Sequence, residues 1–358
     1  MRAAAAELRR RIRTEAEVRD SVGRALGDES LPANLRSVLA AVLGTLPEPA
    51  AREWLVRAAR VPGLSPEVLA WTVRALAARH EWEGDDVFHG MDNPDVVETP
   101  GGLQLCVSAP VDAEEPRALL RSLLASSRDE AVLDALVAAL RPSVEYEDVR
   151  TAFEQRLGSE PDRGRVADLG AALARWSVHG PPEREADRLR IGRSLFGLAE
   201  IPENAGLRLA LQPYAATLSW PGGQGARLAG LARGGSDFDQ RYWAIDLLGM
   251  ATGRLAPEER TEAGRMLAGL AGSEPDDKLR ERAAAALSAY GEQGAPVLLR
   301  IAREDRAWHV RRAAVLALGR LDPSSPDAAA VLEEAAARDP DESVREAARE
   351  ALTSRKPR

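Results

Sequence analysis

The sequence predicts an all-α fold: a right-handed α-solenoid of about nine to ten helical pairs. Three observations carry this. Apolar residues recur at helical spacing, one ten-residue pattern returns along the chain, and the returns leave room for a second helix between copies. The clearest copy lies at 305–319. There Val310, Ala313, Ala314, Ala317 and Leu318 fall at i, i+3, i+4, i+7 and i+8, one face of a helix. Asp305 precedes it as a candidate cap and Gly319 follows as a candidate stop. A lone helix cannot bury such a stripe.

The pattern Val-Arg-x-x-Ala-x-x-Ala-Leu-Gly recurs closely from Leu35, Leu279 and Val344, and more loosely from Val68, Val132, Val166, Leu207 and Gln240. Its second position is then residue 36, 69, 133, 167, 208, 241, 280, 311 and 345. The steps run from 31 to 41 residues, apart from one of 64 between 69 and 133. A copy near residue 100 is therefore missing or overwritten. Second amphipathic stretches fill the gaps, as at 295–303 and 328–337.

The residues Asp277 with Leu279-Arg280, Asp305 with Val310-Arg311 and Asp341 with Val344-Arg345 each lead into an Ala-rich stripe. In this they resemble the short, phycobilisome-lyase-type HEAT repeats, over about 275–353 and again over 35–80. The resemblance implies a solenoid of HEAT-like pairs in which Asp and Arg of neighbouring units form a ladder. It implies little about activity, since such scaffolds serve many functions.

Taken in order, residues 1–80 read as an N-terminal cap and HEAT-like repeats. Residues 3–27 form one capping helix with stripe Leu8, Ile12, Val18, Val22 and Leu26, and three more helices follow, broken by Pro47, Pro49 and Pro62-Gly63. Trp54 and Trp71 sit within apolar stripes and read as packing residues.

Residues 81–116 form an acidic insertion within the array. Helical periodicity stops there, and the stretch carries ten carboxylates with no Lys or Arg, −10 against −8 for the whole chain. Val96–Thr99 and Leu103–Val107 flank Pro100-Gly101-Gly102, which suits a short β-hairpin. Trp82, Asp85, Asp86, Phe88, His89, Asp92 and Asp95 are its candidate partner-binding residues. Three readings stay open for this insertion: a solvated loop, a recognition element for a basic or Arg-rich partner, and a cation site using the carboxylates with His80 and His89.

Residues 117–358 return to HEAT-like repeats, most regular from 237 to 353. Along their equivalent helices run Arg280, Arg282, Arg311, Arg312 and Arg345. These arginines have two readings: a structural ladder with Asp276, Asp277, Asp305, Asp339 and Asp341, or a basic stripe for phosphate or acidic segments.

Chemistry is sparse. No Gly-rich phosphate loop, Gly-x-Ser-x-Gly elbow or His-Glu-x-x-His helix is present, and the four His stand at 80, 89, 179 and 309. Cys106 is the only cysteine, so neither an intrachain disulfide nor a cysteine metal cluster is available. The charged N-terminus does not read as a secretory signal, and no stretch approaches ~20 apolar residues, the length of a membrane span. These features predict a cytoplasmic, non-catalytic scaffold or adaptor with no cofactor. It binds a protein or peptide, with basic partners among the candidates, on its curved surface or through the insertion; no membrane is involved.

Two alternatives accompany that reading. Trp308-His309-Val310-Arg311-Arg312-Ala313 resembles a segment of alkylpurine DNA glycosylases built from HEAT-like repeats, which implies DNA binding or repair. The likeness covers one helix, and a net charge of −8 runs against a duplex binder, so nucleic acid is a disfavoured partner. The other alternative is a metal- or cation-binding regulatory module centred on the insertion.

Overall fold

The computed structural model describes residues 2–46, 49–78, 96–98, 104–106, 110–321 and 325–354. Its contacts divide the chain into two units, Met1–Trp176 and Ser177–Arg358.

The first unit contains α1 (Arg2–Thr14), α2 (Ala16–Leu26), α3 (Ala33–Gly44), α4 (Pro49–Ala59), α5 (Pro66–Leu76), α6 (Glu114–Ser126), α7 (Glu130–Leu140), α8 (Glu147–Leu157) and most of α9 (Arg163–His179). Between α5 and α6 lies an antiparallel hairpin of β1 (Val96–Glu98) and β2 (Gln104–Cys106), with Val97 opposite Leu105. Helix α5 packs on both α3 and α7, while α4 lies against α2 and α6 against α8.

The single capping helix expected over 3–27 is two helices, broken at Glu15, whose backbone is extended (φ −122°, ψ 101°). The stripe itself explains the break. Its step is four residues from Leu8 to Ile12 but six from Ile12 to Val18, so a continuous helix would rotate the second half of the stripe off the core. Breaking the helix lets Ile12, Val22 and Leu26 all be buried.

The second unit contains α10 (Glu185–Ala199), α11 (Ala205–Leu211), α12 (Gln224–Gly234), α13 (Phe238–Met250), α14 (Pro257–Ser273), α15 (Asp277–Leu287), α16 (Ala295–Glu304), α17 (Trp308–Arg320), α18 (Pro326–Arg338) and α19 (Glu342–Ser354). From α12 onward these form hairpins, each an even-numbered helix followed by an odd-numbered one. The odd helices α11, α13, α15, α17 and α19 stack side by side as one layer, and α12, α14, α16 and α18 form the other. The core lies between the layers, in residues such as Leu279, Ala283, Leu287, Leu298, Ile301, Val310, Ala314 and Leu318.

Two details of the sequence pattern take a different physical meaning here. Gly319 lies inside α17, one residue from its end, and does not stop it. A Cβ there would sit 2.7 Å from the Cβ of Ala351 on α19, and one on Gly249 of α13 would sit 2.9 Å from Ala286 of α15. The repeated Gly therefore serves close approach between odd-layer helices. Asp305 is likewise not the N-cap of α17, a position held by Ala307. It accepts the Ala307 amide at 2.9 Å and points its carboxylate at the preceding repeat.

Candidate functional site

The second position of the repeat pattern places an arginine near the start of each odd helix of the second unit: Arg208, Arg241, Arg280, Arg311 and Arg345. The planar guanidinium can serve two directions at once. One edge ties down the loop that leads into its own helix. Arg280 Nη1 donates to the carbonyls of Glu274 (2.9 Å) and Pro275 (3.1 Å), and Arg311 Nη1 to that of Asp305 (2.9 Å). Arg208 bonds Ala199, Ile201 and Pro202 in the same way.

The other edge reaches the acid of the following repeat. Arg241 meets Glu274, Arg280 meets both oxygens of Asp305 (2.9 and 3.2 Å), and Arg311 meets both of Asp339 (2.8 and 2.8 Å). Arg345, in the last repeat described, bonds the Asp339 carbonyl at 2.5 Å and pairs with Glu342 of its own helix. Side-chain exposure is 6% and 10% for the Arg280–Asp305 pair and 10% and 5% for Arg311–Asp339. Burial alone would push the Asp305 and Asp339 carboxyls up. Hydrogen bonds from arginine and from a backbone amide outweigh it and hold both below the usual carboxylate range. The hydrogen bond to Asp339, opposed by burial, raises the Arg311 guanidinium.

Arg312 is one residue along, about 100° around the helix, and lies elsewhere. It is exposed and lines a hollow of about 390 Å³ on the solvent face of the odd layer. Tyr242 of α13, Lys278, Glu281, Arg282 and Ala285 of α15, and Ala313, Leu316, Ala317 and Arg320 of α17 complete the lining. Arg282 pairs with Asp246, which also accepts from Gln212 (3.3 Å), and its guanidinium lies 5.0 Å from the centre of the Tyr242 ring. The floor is small and apolar because Ala lets α15 and α17 approach; the rim is charged because side chains there reach solvent.

The sequence singled out five arginines together, and the structure separates them. Arg280 is occupied by the largely buried Asp305 and Arg311 by buried Asp339, Arg345 is half-buried beside Glu342, and Arg282 and Arg312 face the hollow, Arg282 paired with Asp246. Trp82, Asp85, Asp86, Phe88, His89, Asp92 and Asp95 lie outside the described residues. Sequence reasoning did not pick out Tyr242, Lys278, Leu316 or Arg320. A signal for the last two existed, since Arg312, Leu316 and Arg320 follow at i, i+4 and i+8.

Trp308 begins α17 at 45% exposure, its ring edge-on to His309 with centroids 5.6 Å apart. The arginine three residues on, Arg311, is the one bound to Asp339. Among the described residues no group of three or more His, Cys, Asp or Glu could hold a metal ion, and no helix is long and apolar enough to cross a membrane.

Residues 264–353 match the family model for HEAT repeats. In structure the chain is similar to one from the complex in which Kap95p binds RanGDP, with a TM-score of 0.61 and 13% identity, over 98% of this chain and 47% of that one. It thus spans about half the length of that neighbour. Weaker likenesses are to human deoxyhypusine hydroxylase in complex with glycerol (TM-score 0.33, 18% identity, 94% of this chain and 95% of that one) and to the UNC-45 chaperone (0.38, 16%, 95% and 43%). No curated protein matches the sequence. The chain is an α-solenoid of HEAT-like helical pairs, with HEAT repeats over 264–353.

Proposed function

We propose that this HEAT-repeat chain is a non-catalytic scaffold that holds a segment of another protein on the odd-layer face of its second unit. The observation behind this is the hollow across α13, α15 and α17. Its floor and rim come from three successive repeats, so the surface is preformed by the ladder and the Ala-rich packing, and little ordering cost remains for binding. Protein binding is also what the Kap95p structure concerns, although at 13% identity that likeness speaks to fold alone.

The DNA-repair alternative loses ground, because the arginine that would serve it, Arg311, is taken by a buried acid in a chain of net charge −8. The cation-binding alternative rests on the acidic insertion. On the scaffold reading, that insertion is a second contact region, suited by its ten carboxylates to a basic partner.

The test is photo-crosslinking in cells. A benzoylphenylalanine replaces Leu316 on the odd layer or Glu334 on the even layer. The scaffold reading expects a discrete adduct from position 316 only; equal or absent labelling at both positions would sink it.

A further inference from the structure

The rim of the hollow holds two kinds of cation. Arg282 is neutralised by Asp246, and Lys278 stands 3.7 Å from Glu281. Arg312 and Arg320, by contrast, are exposed and form no hydrogen bond or ion pair among the described residues. They do so in a chain whose 56 acidic residues outnumber its 48 Lys and Arg. Half-buried Leu316 lies one helical turn from each. This row of cation, aliphatic and cation contributes nothing evident to the packing of α17, whose buried face is Val310, Ala314, Val315 and Leu318.

We infer that this row binds an extended acidic segment of a partner protein, with one carboxylate on Arg312, one on Arg320 and an aliphatic side chain on Leu316 between them. The inference rests on the scaffold reading above and names its ligand class. The spacing sets the motif. Eight helical residues span ~12 Å, and four residues of extended chain span ~13 Å. Side chains at i, i+2 and i+4 of an extended segment also share one face, giving acid, any residue, aliphatic, any residue, acid. Arginine suits the task because its fork takes a carboxylate through two parallel hydrogen bonds. A nucleic acid fits less well, since it relies on many phosphate contacts, and among the described residues only two cations of the rim are unpaired, Arg282 and Lys278 being matched by Asp246 and Glu281.

The test uses the full chain and fluorescence anisotropy of a labelled peptide, Gly-Ser-Glu-Thr-Leu-Thr-Glu-Ser-Gly. Its Gln-Thr-Leu-Thr-Gln analogue and a 20-nucleotide single-stranded DNA run in parallel. Saturable binding of the Glu peptide is expected, at least about tenfold tighter than the Gln analogue, and weakening as salt screens the exposed charges. Arg312→Gln with Arg320→Gln should lose about tenfold or more while melting like the parent. Leu316→Ala should weaken binding separately, so the apolar contact is checked without a charge change. Equal affinity for the Glu and Gln peptides, or an undiminished affinity in the double variant, overturns the inference. So does tighter binding of the DNA. If the peptide fails while the adduct at position 316 persists, the acidic specificity falls and the scaffold reading stands; if both fail, both fall.

Discussion

Replacing Arg311 by Ala should cost the second unit about 3–5 kcal/mol, the range for removing one member of a buried ion pair. Here the loss is specific. Both Asp339 oxygens lose donors at 2.8 Å, the Asp305 carbonyl loses one at 2.9 Å, and a carboxylate 5% exposed is left without its cation. For a unit of this size that is a fall of about 10 °C in Tm. The matched control is Arg303→Ala, whose pair with Glu334 is within hydrogen-bond distance at 3.0 Å but 46% and 50% exposed. That variant should lose about 0.5 kcal/mol.

The pH dependence has a definite sign. Asp339 has a folded pKa below its unfolded value near ~3.9. Its contribution is therefore present above that unfolded value and is lost as pH falls through the lower folded one. The stability gap between parent and Arg311→Ala should accordingly narrow below about pH 4. Urea unfolding followed by circular dichroism measures both effects. Adding Asp339→Ala to Arg311→Ala should recover part of the loss, about 1.5–3 kcal/mol of coupling. If Arg311→Ala costs no more than Arg303→Ala, the buried ladder does not hold the repeats together.

Three further outcomes are expected. Arg36 of α3 is 6% exposed, and its Nε and Nη1 are buried with no hydrogen-bond partner among the described residues, so Arg36→Met should raise stability by about 1–2 kcal/mol, opposite in sign to Arg311→Met, as thermal melts of the two would show. Gly319→Val should destabilise by more than about 2 kcal/mol because its side chain meets α19, whereas Gly230→Ala on α12, with nothing within 4 Å of the new Cβ, should gain about 0.5–1 kcal/mol in urea unfolding. Changing Asp85, Asp86, Asp92 and Asp95 to Asn should leave the melt unchanged and remove capture of a basic partner, with normal capture counting against any recognition role for the insertion.

The stripe at 310–318 and its returns made the layered helical pairs legible, because burying one face of each helix leaves few alternative arrangements. The break at Glu15 was missed, although the six-residue step between Ile12 and Val18 carried a signal for it. The reason for Gly319 was not legible. Its contact, Ala351, is 32 residues away, and the same Gly at a helix end suits a stop signal equally well. The hollow was harder still. Tyr242, Lys278 and Arg320 are spread over 79 positions and share a surface only because α13, α15 and α17 stack in register. Nor could composition distinguish Arg311 from Arg312, since a rotation of ~100° along the helix separates a buried pair from an open rim.

That adjacent pair offers the most direct measurement. Arg311→Ala and Arg312→Gln are compared with the parent at 10 °C, where all three are folded, for peptide affinity, and then by melting for Tm. The expected result is a crossed one: Arg311→Ala lowers Tm by about 10 °C and leaves peptide affinity within twofold, while Arg312→Gln leaves Tm in place and weakens binding several-fold. If both variants shift the same property, or the assignments are reversed, the division between a structural ladder and a binding rim is wrong.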